Sequence, residues 1–168
     1  MRKQKVLFLC TQNSARSQMA EALLRYHAGD RFEEYSAGYL PSDEIHPYVH
    51  PYAVEAMDEV GIDMDEQYPK DLKTYMGKVG FNYSIIVCAR AEKDCPKTFP
   101  GVGMRFVWVF DDPRDGEEVA EGEMLEKFRE VRDEIEDKIL YWIEHPEEEY
   151  REQREREQLM REGLFRDA

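Results

Sequence analysis

The chain has 168 residues, with 23 Lys and Arg against 37 Asp and Glu, for a formal net charge of -14. That length suits one domain with a sizeable core, and that charge argues against nucleic acid and anionic membrane surfaces as partners. Any anion site must therefore work through local donors, because the field of the whole protein repels anions.

Residues 1–5 lead directly into a five-residue apolar run, too short for the core of a secretory signal. No stretch approaches membrane-spanning length, so a cytoplasmic location and no membrane partner are expected. Three cysteines, an odd number, do not make a secreted disulfide framework, and in such a chain they suggest redox or catalytic use.

In chain order, residues 6–9 read as a first strand and residues 17–28 as a helix, with Met19, Ala20, Leu23, Leu24 and Tyr26 as its apolar stripe. Residues 32–37 read as a second strand. Residues 51–60 read as a second helix closed by Gly61, and residues 71–76 as a short third one. Residues 83–87 and 105–110 are continuous apolar strands. Residues 122–143 read as a long helix with Phe128, Val131, Ile135, Ile139 and Trp142 at helical spacing. Strands separated by helices imply an α/β three-layer sandwich: a four-stranded parallel sheet with helices on both faces. The first, third and fourth strands then end at Cys10, Cys88 and the pair Asp111 and Asp112, on the sheet edge where ligands bind.

The composition changes at His145 and Pro146. Glu147 and Arg151, Glu152 and Arg156, Glu157 and Arg161, and Glu162 and Arg166 stand at i,i+4, an arrangement that supports a helix. Few apolar residues are available to dock it. The expected division is a main domain over residues 1–145 and a solvated, charged helical extension over 146–168, with Leu159, Met160, Leu164 and Phe165 as a potential contact end. The histidines at 27, 46, 50 and 145 read as surface loop residues. His46 and His50 stand at metal-ligand spacing, but Pro47 and Pro51 oppose a helix that would aim both the same way, so no metal site is expected.

The most informative segment runs from Cys10 through Thr11, Gln12, Asn13, Ser14, Ala15 and Arg16 to Ser17, between an apolar strand and a helix. Cys-x5-Arg-Ser in that context builds a cradle for a tetrahedral oxyanion with a thiol at its base. The helix-start N–H groups and the Arg16 guanidinium bind the anion. Ser17 stands where the helix's first cap is expected. The positive surroundings predict a lowered pKa and an ionised, nucleophilic Cys10.

This loop resembles that of the low-molecular-weight protein tyrosine phosphatases. Its continuation through Arg16, Ser17, Gln18, Met19, Ala20 and Glu21, and then Tyr35, Ser36, Ala37 and Gly38, resembles more closely the thioredoxin-coupled arsenate reductases built on the same fold. Similarity runs on through residues 51–57 and 60–63, resumes at 88–96, at 110–113 and at 128–135, and covers the chain to about residue 143.

The resemblance implies reduction of arsenate to arsenite by a relay of three cysteines. Cys10 attacks the oxyanion, Cys88 attacks the Cys10 sulfur, and Cys95 takes over Cys88. A dithiol reductant such as thioredoxin then restores the pair, and no cofactor is needed. Asp112, before Pro113, takes the general acid's position. Asn13 is expected to brace the loop and Ser17 to hydrogen-bond the thiolate. This chain has Gln12 and Ala15 where the reductases usually carry Gly and Cys, and Gln12 is strained if that position needs a positive φ. Some reductases bind potassium near the loop. Asn13, Glu21 and Ser36 match that site, but its last ligand falls at Lys70 or Asp71, and a lysine there would replace the cation.

Two other readings differ in class. One is a phosphatase hydrolysing phosphate monoesters through a phosphocysteine, with Cys88 and Cys95 protective; the acidic stretch after Pro113 replaces the tyrosines that hold an aromatic substrate there. The other is a catalytically idle redox or anion-sensing module acting through its charged tail.

Overall fold

A computed structural model of the chain describes residues 1–40, 43–45, 47–95, 101–115 and 120–164. The apolar runs form strands β1 (Gln4–Cys10), β2 (Phe32–Gly38), β3 (Phe81–Ile86) and β4 (Val102–Val107). They make one parallel sheet in the order β2-β1-β3-β4. Val6, Leu7, Phe8 and Leu9 of the central β1 are fully buried, as a strand covered on both faces must be.

The helices are α1 (Arg16–Ala28), α2 (Pro51–Asp58), α3 (Ala89–Asp94), α4 (Glu121–Glu144) and α5 (Pro146–Arg161). The step from β1 to β2 runs one way across the sheet and the step from β3 to β4 runs the other way. Right-handed crossovers therefore put α1 and α3 on opposite faces. Met19, Ala20, Leu23 and Leu24 turn α1 inward, while Phe128, Val131, Ile135, Ile139 and Trp142 do the same for α4.

Several boundaries differ from the sequence reading. Tyr26 is exposed, so it lies outside the α1 stripe. The fourth strand begins at Val102 and ends at Val107, because Gly101 and Phe81 start the pairing earlier than the apolar run does. Residues 71–76 hold only a short 3-10 turn, Leu72–Thr74. Residues 89–94, between two cysteines, are helical.

Helix α5 does not stand free in solvent. Gln153 sits on the outer side of edge strand β4, accepting the Val107 N–H at 2.8 Å and donating to the Arg105 carbonyl at 2.8 Å. One side-chain amide thus satisfies two backbone groups that an edge strand leaves unpaired. Tyr150 packs edge-on against Phe106, and the fully buried Glu149 pairs with Lys138 at 2.7 Å. Among the described residues the ion pairs made by α5 side chains include Arg154 with Glu157 at 3.2 Å and Arg156 with Glu149 at 3.6 Å, rather than the i,i+4 series. Phe165 and Arg166 lie outside the described residues. No helix among the described residues is long and apolar enough to cross a membrane.

Candidate active site

Cys10 is the last residue of β1, and α1 begins at Arg16, so the intervening loop wraps the sulfur at the sheet's carboxyl edge. The Asn13 N–H donates to Cys10 Sγ at 2.9 Å, and Ser17 Oγ lies 2.9 Å from the same sulfur. Asn13 Nδ2 donates to Ser17 Oγ at 2.9 Å, and against a Cys10 thiolate the Ser17 hydroxyl can only donate. Asn13 Oδ1 accepts from the Lys70 N–H at 3.0 Å and from Gln18 Nε2 at 2.9 Å. Asn13 therefore joins the loop to α1 and to the segment before Asp71.

Two expectations are corrected here. Among the described non-glycine residues Asn13, with φ of 56°, takes the left-handed conformation, so Gln12 carries no such strain. Asparagine tolerates that region better than most residues. Ser17 is not the helix cap: Ala15 holds that position without a side-chain bond, and Ser17 is turned inward to the sulfur.

The expected lowering of the Cys10 pKa is not found. Burial pushes the thiol up and the neighbouring Cys88 adds to it; Ser17, the Asn13 N–H and Arg16 only partly offset this. Arg16 has other partners. Its guanidinium donates to the Phe110 carbonyl at 2.8 Å and to Asp112 Oδ2 at 3.1 Å, so its charge is already shared with a carboxylate.

Cys88 follows β3 and approaches the same edge. The register pairs Leu9 with Ile86, the Val87 N–H donates to the Leu9 carbonyl at 2.9 Å, and Cys88 Sγ lies 3.4 Å from Thr11 Oγ1. Cys88 also caps α3, accepting from the Ala91 N–H at 3.4 Å. Cys95 closes the other end of that helix and is buried. Burial raises its thiol, Arg105 pulls it down and Cys88 raises it. Both are free thiols, and the intact helix places seven residue steps between them, about 10 Å of axial rise.

Asp112 lies just beyond β4, whose course is prolonged by Trp108 N–H to Ile86 carbonyl and Phe110 N–H to Val87 carbonyl bonds. Its Oδ1 accepts the Arg114 N–H at 3.0 Å, an Asx turn across Pro113. Arg114 then grips the carboxylate with two further bonds, Nε to Oδ1 at 3.0 Å and Nη2 to Oδ2 at 2.8 Å. Burial pushes the Asp112 carboxyl up, but Arg114 and Arg16 outweigh it and hold it below the usual carboxylate range. Arg114 escaped the sequence reading, although an arginine two residues after Asp-Pro is the signal that could have found it.

Gly38, at the end of β2, backs the loop: a Cβ there would stand 2.8 Å from the Thr11 carbonyl oxygen. The loop is held from the same side by Tyr39 N–H to the Cys10 carbonyl at 3.0 Å. The Lys70 ammonium lies 3.7 Å from Glu21 Oε2, 3.4 Å from Ser36 Oγ and 3.0 Å from the Tyr68 carbonyl. Burial lowers its pKa, and Glu21 opposes the fall. A lysine cation thus stands beside the Ser36 hydroxyl and the Glu21 carboxylate, which are themselves joined by a direct hydrogen bond. The histidines are more integrated than loop residues: His27 pairs with Glu136 at 2.6 Å, and His50 caps α2 and stacks on Phe128. His145 lies 3.5 Å from Glu148, and His46 falls outside the described residues.

A thiol wrapped by a strand–loop–helix cradle at the end of β1, with an aspartate arriving from beyond β4, two strands away, defines a cysteine-dependent oxyanion enzyme fold. The chain belongs to the low molecular weight phosphotyrosine protein phosphatase family, which it matches over residues 5–155. It is similar to an arsenate reductase of Bacillus licheniformis, 42% identical over 144 residues that cover 86% of this chain and 98% of the relative. An arsenate reductase of Halalkalibacterium halodurans is 40% identical over the same coverage. Among solved structures, an arsenate reductase in its phosphate-binding state superposes with a TM-score of 0.64 at 28% identity, covering 83% of this chain and 96% of the other. A thioredoxin-dependent arsenate reductase of Corynebacterium glutamicum superposes with a TM-score of 0.59 at 28% identity, covering 84% of this chain and 61% of the other.

Proposed function

We propose that this protein reduces arsenate to arsenite through successive thiol–disulfide exchanges among Cys10, Cys88 and Cys95. The observation that carries the reading is that Cys10 sits in the anion loop while the Cys88 sulfur lies 3.4 Å from the hydroxyl of the next residue, Thr11. The likeness to arsenate reductases across nearly their whole length supports the substrate.

In the first step the Cys10 sulfur attacks arsenic and forms an S–As bond. Monohydrogen arsenate and a thiol give the thioarsenate and water, so the thiol proton leaves with the displaced oxygen. Arg16 and the α1 N–H groups hold the remaining oxygens. Asp112 starts as a carboxylate held below the usual range, so the thiol proton passes to the bound oxyanion, the stronger base, and Asp112 relays it to the departing oxygen.

In the second step Cys88 attacks the Cys10 sulfur. The S–S bond forms, the S–As bond breaks, and its electron pair leaves with arsenic, which is reduced from arsenic(V) to arsenic(III). The Cys88 proton leaves with arsenite. Cys95 then displaces Cys10 from Cys88 and regenerates the nucleophile.

A disulfide requires Cα atoms within about 7 Å, less than the rise of the intact α3. Helix α3 must therefore unwind when Cys95 bonds Cys88, which exposes the new disulfide to an external dithiol. A thioredoxin-type protein is the proposed reductant, in keeping with the thioredoxin dependence of the Corynebacterium glutamicum neighbour. Such a partner implies a reducing, cytoplasmic setting.

The test is to expose the reduced protein to one equivalent of arsenate, quench with a thiol-blocking acid, and map disulfides by peptide mass. A Cys88–Cys95 disulfide with stoichiometric arsenite is expected. Arsenate-dependent arsenite with all three thiols still free would overturn the relay.

A further inference from the structure

Arg114 is the strongest unassigned side chain at the site. It is half-buried, 31% exposed, and its guanidinium divides its contacts by edge. Nε and Nη2 hold the two Asp112 oxygens at 3.0 and 2.8 Å. Nη1 turns the other way and reaches Ser14 Oγ at 3.3 Å and Gln12 Oε1 at 3.5 Å, both on the anion loop. The side chain therefore spans from the general acid to the rim of the cradle. Its own charge is favoured first by the Asp112 hydrogen bonds.

We propose that Arg114 is a specificity-determining residue, which makes this site prefer a free inorganic oxyanion to a phosphate ester of an aromatic alcohol. The proposal deepens the arsenate reading and rests on it for the substrate class.

Four considerations carry it. A guanidinium is a rigid planar fork, so Arg114 keeps Asp112 with one edge while Nη1 changes partner. The Nη1 contacts are long and weak in the free site, so an incoming oxygen displaces them at little cost. An inorganic oxyanion offers a charged oxygen on the Asp112 side, where its leaving oxygen must face the acid. An aryl ester presents its organic group there instead. That group desolvates Nη1 without offering a comparable acceptor, and it needs the space that the side chain crosses. A chain of net charge -14 also repels dianions at long range, so a second local cation is a direct compensation.

The test compares binding of inorganic phosphate and of phenylphosphonate by calorimetry, in the full-length protein and in its Arg114→Ala and Arg114→Lys variants, with circular dichroism to verify folding. Wild type is expected to favour phosphate. Arg114→Ala should lose about tenfold in phosphate affinity, the scale of one charge-assisted hydrogen bond, while phenylphosphonate binding stays within about twofold or tightens. Arg114→Lys keeps charge and bulk and should show a smaller loss in the same direction; it carries the comparison if the alanine variant fails to fold. Equal losses for both ligands, no change for either, or no phosphate binding by wild type would overturn the proposal. Arsenate turnover by wild type is measured in parallel. Its absence would remove the reductase reading, whereas the ratio of the two affinities judges Arg114 by itself.

Discussion

Ser17 Oγ lies 2.9 Å from Cys10 Sγ and accepts a hydrogen bond from the Asn13 side chain, which orients its hydroxyl to donate to a Cys10 thiolate. This is a donor aimed at a thiol whose pKa burial pushes up. The sign follows directly. A raised thiol pKa means a small thiolate fraction near neutrality that grows as pH climbs through the raised value. Alkylation of Cys10 by iodoacetamide, followed by peptide mass, should accelerate with pH to a midpoint above that of an unperturbed cysteine, about 8.5. Ser17→Ala removes a donor to the thiolate and should move the midpoint higher still, with arsenate reduction at pH 7 falling about tenfold or more. A midpoint below that of a free cysteine would contradict the burial argument.

The relay separates the three cysteines by what each variant can still do. Cys88→Ser should abolish arsenate reduction while leaving hydrolysis of an aryl phosphate at Cys10. Cys95→Ser should complete about one turnover and stall as a Cys10–Cys88 disulfide. Coupled NADPH consumption with a thioredoxin system reads both, and sustained cycling by either variant is the contrary result. Amide exchange should also quicken across residues 89–94 on oxidation, because α3 cannot stay wound with its two end residues bonded.

Gly38 backs the anion loop so closely that a methyl group there meets backbone. Its Cβ would stand 2.8 Å from the Thr11 oxygen and 3.0 Å from the Gln12 carbonyl carbon. Gly38→Ala should destabilise the fold by about 1–3 kcal/mol and weaken phosphate binding, since the loop cannot shift without moving Asn13 and its bonds. Urea melts and calorimetry check the two halves of this expectation, and a variant that binds phosphate like wild type would show that the loop yields without loss.

Gln153 ties α5 to β4, so its removal should be felt far from the active site. Gln153→Ala leaves the Val107 N–H and the Arg105 carbonyl without their partner and should cost about 1–3 kcal/mol in a urea melt, with the slope unchanged. Aryl phosphate hydrolysis below the melting range should be unaltered. A melt identical to wild type would show that water serves β4 equally well.

Parts of this molecule were legible because they depend on local chemistry. The strand at residues 6–9, the inward face of α4 and the Cys-x5-Arg-Ser loop all follow from residue spacing within a single segment. Asn13 bracing the loop and Ser17 hydrogen-bonding the Cys10 sulfur were expected from resemblance, and both contacts are present. The docking of α5 was not legible. Its sequence is dominated by charge, and the residues that seat it act through distant partners, Tyr150 and Gln153 through β4 and Glu149 through Lys138.

The sequence alone determined that an apolar strand would deliver a cysteine to a helix-start anion loop, and that two further cysteines and an aspartate would follow later strands. Only the tertiary structure decided what charge those groups carry. Cys10 is lifted by burial, and Asp112 is held ionised between Arg16 and Arg114. Likewise only the fold brought Gln153 to the edge of the sheet. Spacing along a chain specifies local geometry, whereas desolvation and ion pairing depend on which distant segments close over a group, and no local pattern records that.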